Sequence, residues 1–164
     1  MKPQVTIFNR QNGQRVDTRL LRQIAKALLA ELLQVEWADL GVCLVTAPEM
    51  TRLNETFLQH KGSTDVIAFD YSAPGRRTPD ASRRLHGELF ICLDEAVGQA
   101  RRFRTSWQSE IARYLVHGVL HLLGHDDSRA GERRKMKREE NRLLRELSRR
   151  FSLAQLARAA KLSR

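Results

Sequence analysis

The sequence predicts a single α/β domain of the α+β kind: a four-stranded mixed sheet flanked by helices, with one histidine-bearing helix at its centre. Three observations lead there. Four short apolar or β-branched runs are separated by segments whose apolar residues recur at helical spacing. The chain has 164 residues, enough for one core and short for two ordinary domains. Late in the chain, an apolar stretch carries two histidines four residues apart, which places both on one face of a helix.

The elements follow in order. Val5-Thr-Ile-Phe8 alternates as a first strand. Asp17 is placed to cap a helix from Thr18 to about Gln34, with Leu20, Leu21, Ile24, Leu28 and Leu32 as its apolar stripe. Leu40 to Thr46 reads as a second strand, and Pro48 opens a short helix bearing Met50, Leu53, Asn54 and Phe57. Thr64 to Asp70 is a third strand. Residues Ser72 to Arg84, rich in Pro, Gly and Arg, form a loop. Gly87 to Leu93 is the fourth strand. Asp94 is expected to cap a helix reaching Arg104, and Ser106 to cap the long histidine helix. An amphipathic helix runs from about Arg129 to Arg149. Residues 151–164 read as a short basic extension beyond a main domain of residues 1–150.

Composition narrows the classes. Lys and Arg number 29 against 19 Asp and Glu, a formal charge of +10. The cations recur through the predicted helices, so they decorate a folded surface and favour a polyanion such as nucleic acid as partner. Cys43 and Cys92 sit in strand runs at a spacing that suits neither a zinc knuckle nor a redox pair, and read as buried reduced thiols. No apolar run is long enough to cross a bilayer and none resembles a secretion signal, so a cytoplasmic protein without membrane attachment is expected.

The chemistry is concentrated in His117-Gly-Val-Leu-His121-Leu-Leu-Gly124-His125-Asp126-Asp127. Two imidazoles at i and i+4 can share one metal ion, and a turn at Gly124 can return a third ligand. A continuous helix would separate His117 from His125 by about 12 Å of rise, too far for one zinc ion with bonds of about 2 Å. Asp127 is therefore the first choice for third ligand and His125 the alternative. Asp126 is expected to point outward, cap the next helix or support a ligand. The spacing matches zinc peptidases, but their general base, the glutamate after the first histidine, is here Gly118. A peptidase is disfavoured, and the basic surface turns the expectation to phosphodiester hydrolysis assisted by one Zn²⁺.

The same segment resembles the signature H-G-x-L-H-L-x-G-Y-D-H of the YbeY family. Leu53-Asn54 through Ser63-Thr64-Asp65-Val66-Ile67-Ala68-Phe69 is similar to that family's L-N-x-x-Y-R … P-T-D-V-L-S-F segment. His86 to Ile91 corresponds to its L-G-D-I-V-I strand, and Arg134 to Leu144, with Met136 and Glu140, to its last helix. The resemblance implies a single-strand-specific, metal-dependent endoribonuclease. Its roles would be maturation of ribosomal RNA at the 16S 3′ end and ribosome quality control. The implied partners are single-stranded RNA and the small subunit, with ribosomal proteins as further candidates. It implies that His117, His121 and Asp127 hold the zinc and carry catalysis, with Thr64, Asp65 and Ala68 beside the cleft. Two departures stand out. The family's third histidine falls on Asp127, and the arginine it links to cleavage falls on Leu58, with His60 and Lys61 nearby as substitute cations. Leu58 keeps a second reading open: a non-catalytic, metal-stabilised ribosome-assembly or RNA-binding factor.

Overall fold

The structure, a computed structural model, describes residues 2–72 and 83–158. Strand β1 (Gln4–Asn9) leads through helix α1 (Thr18–Ala27) and a π-helical turn (Leu28–Leu32) to β2 (Trp37–Val45). Helix α2 (Ala47–Phe57), β3 (Val66–Asp70) and β4 (Arg84–Cys92) follow. Helices α3 (Leu93–Phe103), α4 (Trp107–Leu122) and α5 (Ala130–Arg150) close the fold with a short 3₁₀ turn (Leu153–Leu156). The strand order is β1-β2-β4-β3, with β3 antiparallel to β4 and the other pairs parallel, so the sheet is mixed as expected.

Each central strand is apolar on both faces, the signature of a sheet covered on two sides. Val42, Leu44, Leu89 and Ile91 face the main core with Leu21, Ile24 and Leu28 of α1 and Leu115, Val119 and Leu120 of α4. The alternate residues Cys43, Val45, Phe90 and Cys92 form a smaller cluster with Met50 of α2. Both cysteines are buried free thiols there, and burial pushes their pKa values up. Glycine lets α4 lie close on the sheet. A Cβ at Gly118 would sit 2.6 Å from Leu89 Cδ2, and one at Gly87 would sit 2.5 Å from the Phe69 carbonyl and 3.0 Å from Leu122 Cδ2.

Several boundaries differ from the sequence reading. The first helix stops being α-helical at Ala27, short of Gln34; a π turn then brings Leu28 and Leu29, adjacent in sequence, both into the core. Strands β2 and β4 start three residues earlier than expected, because their parallel pairing extends back through Trp37↔Arg84. Strand β3 starts at Val66, since Asp65 turns its carboxylate onto the Val66 N–H. Asp94 is not the cap of α3: that helix starts at Leu93 directly from β4, and the Asp94 carboxylate instead accepts from the Ala47 N–H of α2 at 2.6 Å. Asp17 and Ser106 cap α1 and α4 as read. Arg84 belongs to β4, and the expected loop's residues 73–82 lie outside the described residues. After α5, Leu156 is buried and Ala157 pairs with Val16, while residues 159–164 of the basic extension lie outside the described residues.

Candidate metal centre

Helix α4 presents His117 and His121 one turn apart, with Nε2 atoms 3.1 Å from each other. The helix then ends in a Schellman turn. The Gly124 N–H donates to the His121 carbonyl and the His125 N–H to the Leu120 carbonyl, both at 3.0 Å. Gly124 has φ +100°, a conformation that side chains other than hydrogen resist. This turn reverses the chain and returns Asp127. Its Oδ2 lies 3.5 Å from His121 Nε2 and 3.8 Å from His117 Nε2. Asp126 accepts from the backbone and hydroxyl of Ser128, which tightens the approach to α5.

The three donors fit a metal ion. Ligands at about 2.0–2.2 Å from one tetrahedral ion stand roughly 3.3–3.6 Å from each other, and the observed separations bracket that range. Two neutral imidazoles and a carboxylate also make a donor set that leaves a fourth position open. His117, His121 and Asp127 could therefore hold a metal. His125 is not in this group. It lines a separate small cavity with Leu33, Arg83, Glu139 and Arg142.

Sequence reading missed the partner of His117. Glu140 of α5, 3% exposed, places Oε2 at 2.8 Å from His117 Nδ1. Its other oxygen accepts from Arg113 at 2.8 Å and Lys137 at 3.4 Å. Burial alone would raise the Glu140 pKa, but the hydrogen bonds from His117 and Arg113 and the charge of Lys137 outweigh it and bring the value to about 2. The Glu140 hydrogen bond raises the His117 pKa, against the lowering effect of burial, with further help from the charges of Glu140, Asp65 and Asp127. The available signal was the position of Glu140 on the inner face of the last helix, between Met136 and Leu143.

A cleft of about 740 Å³ opens beside this centre. His117, Asp127, Asp65, Arg113, Arg133, Arg134 and Lys137 are among its walls. Thr64 donates to Asp65, which holds that loop at the cleft edge, and Ala68 packs against the core. Leu58, His60 and Lys61 are not among the lining residues. Leu58 is the exposed C-cap of α2, and His60 and Lys61 are exposed in the loop that follows. Asn54 anchors that loop, donating to the Gly62 carbonyl at 2.9 Å.

Residues 6–148 match the family described as Endoribonuclease YbeY. The chain belongs to the YbeY family. A YbeY endoribonuclease of Myxococcus xanthus is 38% identical over 126 residues, which are 77% of this chain and 42% of that protein. One from Chlorobium luteolum is 40% identical over 98 residues, 60% of this chain and 66% of that protein. One from Parabacteroides distasonis is 34% identical over 116 residues, 71% of this chain and 76% of that protein. The match thus spans less than two thirds of the first two relatives. The solution structure of TM1509 from Thermotoga maritima shares the fold, with a TM-score of 0.64 and 20% identity, covering 98% of this chain and 99% of that one. Among the described residues, no helix is long and apolar enough to cross a membrane.

Proposed function

We propose that this YbeY-family chain is a zinc-dependent, single-strand-specific endoribonuclease that acts in the cytoplasm on ribosomal RNA, in maturation of the 16S 3′ end and in ribosome quality control. The observation that carries the reading is three convergent donors, His117, His121 and Asp127, beside a cleft walled by Arg113, Arg133, Arg134 and Lys137. A bound zinc ion would polarise a phosphoryl oxygen and acidify a water at its open position. The chain's own residues do the rest. Glu140 holds the His117 ring so that Nε2 faces His121 and Asp127. Arg133 and Arg134, on the α5 side of the cleft, attract phosphates and offset charge that develops on them, whereas Arg113 and Lys137 pair with Glu140. The small ribosomal subunit is the partner this substrate implies, with ribosomal proteins as further candidates. Residues 1–150 make the catalytic domain in this reading, in line with the end of the family match at residue 148, and 151–164 a basic extension whose Leu156 packs back into the core.

Gly118 weighs against a peptidase on structural grounds as well. It is buried against Leu89, so position 118 faces the sheet and offers no place for a general base. The exposed Leu58 favours the second reading, a metal-stabilised assembly factor without cleavage, because it puts no positive charge at that position. Zinc-loaded protein incubated with single-stranded ribosomal RNA separates the two. Cleavage by the wild type that is lost in His121→Ala supports the nuclease. Tight RNA binding without cleavage supports the assembly factor, and recovery of cleavage in Leu58→Arg would locate the defect. Metal content of Asp127→Ala tests the third ligand, and unchanged zinc stoichiometry would exclude it.

A further inference from the structure

The cleft extends well beyond the metal donors, along α4 toward the end of α3. Glu110, Arg113, Tyr114 and His117 recur at helical spacing and form one continuous wall. Phe103 stands at the far end, on the last turn of α3. It is 64% exposed, the most exposed large apolar side chain among the described residues. Its position is fixed, not frayed. Arg104 caps the helix in the left-handed conformation at φ +54°, and the Thr105 N–H returns to the Ala100 carbonyl at 3.0 Å. The Thr105 hydroxyl then donates to Glu110 at 2.6 Å, tying the corner to α4. A non-glycine residue in that conformation costs about 1 kcal/mol, so the corner is held by these contacts.

Behind Phe103, the same wall carries two unmet hydrogen-bonding groups. Gln99, one turn earlier on α3, and Tyr114 of α4, only 4% exposed, both line the cleft. The Gln99 side-chain oxygen and the Tyr114 hydroxyl are shielded from solvent and have no hydrogen-bond partner among the described residues. Both atoms are closed off within the wall, so what the cleft itself presents at this end is the exposed Phe103 ring. An exposed aromatic ring in a cleft that also holds arginines matches a nucleobase, whose π-face can stack on it. Arg133 and Arg134 lie in the same cleft, where the strand's phosphates would pass; Arg113 and Lys137 line it too but pair with Glu140.

We infer that the Phe103 end of the cleft is a nucleobase subsite. A base of a single strand stacks on Phe103, while a phosphate further along reaches the metal centre. The inference rests on the nuclease reading for its ligand and adds a place for a base remote from the reacting phosphate. Stacking on one aromatic residue is worth about 1–3 kcal/mol, or roughly 5- to 150-fold in affinity. It applies to unpaired bases only, so it also gives a reason for preferring single strands.

The test is calorimetric binding of a cleavage-resistant 2′-O-methyl RNA heptanucleotide to the zinc-loaded protein, with inorganic polyphosphate as a base-free polyanion. Phe103→Ala should weaken RNA binding by roughly tenfold or more and leave polyphosphate binding unchanged. Phe103→Trp should retain RNA affinity, with indole fluorescence quenched on binding. Wild-type protein that binds RNA no better than Phe103→Ala does would overturn the subsite while leaving the nuclease reading in place. Equal losses for RNA and polyphosphate would also overturn it, since the residue would then act through the phosphate path. Wild type that binds no single-stranded RNA would overturn the nuclease reading itself.

Discussion

Glu140 sets the state of His117 at the scale of one residue. A histidine that ligates through Nε2 needs its proton on Nδ1, and a carboxylate 2.8 Å from Nδ1 favours that tautomer. Glu140→Gln should lower zinc affinity about 10- to 100-fold, read by competition with a chromogenic chelator, because partners of this kind typically contribute that much. The pH dependence follows from the two shifts. With Glu140 lowered to about 2, its contribution to folding is present above the ordinary carboxylate range and is lost as pH falls toward 2. With His117 raised, its contribution in the metal-free protein is complete below the ordinary imidazole pKa and is lost as pH rises through the raised value. Zinc requires the neutral ring, so protons compete with it, and occupancy should fall on acidification from a higher pH than an unperturbed histidine would give. Thermal melts of metal-free wild type and Glu140→Gln across this range check the first part. A difference that does not shrink as pH falls toward 2 would contradict it.

At the scale of the element, the turn after α4 brings the donors together. The i,i+4 histidines were legible in the sequence because helical spacing alone puts them on one face. Asp127 was legible because a straight helix cannot bring a later ligand back, so Gly124 had to turn the chain. His125 shows the other side of the same geometry. Its N–H closes the Schellman turn onto Leu120, and its ring lines a different cavity. What periodicity could not reveal was the long-range pairing: Glu140 arriving from α5, Asp94 bonding to α2, and the π turn after α1. Each depends on how elements pack, and a one-dimensional pattern carries no register between them. Gly124→Ala places a Cβ at φ +100° and should cost about 1 kcal/mol or more of stability. It should also weaken zinc binding, since relaxation of that strain displaces Asp127. A melting-temperature loss with unchanged zinc affinity would show that the turn and the ligand are independent.

Over the whole molecule, the fold class and order of layers were readable because doubly apolar strands and amphipathic helices alternate along the chain. The cleft was not, since its walls come from α3, α4, α5 and the loop before β3. Its charge is measurable as a salt effect. For single strands, log K changes with log salt by about −0.7 for each phosphate neutralised. If Arg133 and Arg134 each engage one phosphate, the double alanine variant should reduce the slope of RNA affinity against salt by about 1.4. Titrations at several ionic strengths read this directly, and an unchanged slope would move the RNA path off this wall.

The placement of the donors also bears on the order in which the molecule assembles. His117, His121 and Asp127 come from one helix and the bend that ends it, and Glu140 from the helix that follows. The sheet, in contrast, joins β1 to β2 and β2 to β4 across long intervening segments, which are slow to close. An α4–turn–α5 hairpin has all four groups within its own length. The candidate site is therefore a feature of short sequence separation, set against a sheet whose parallel pairings are of long separation.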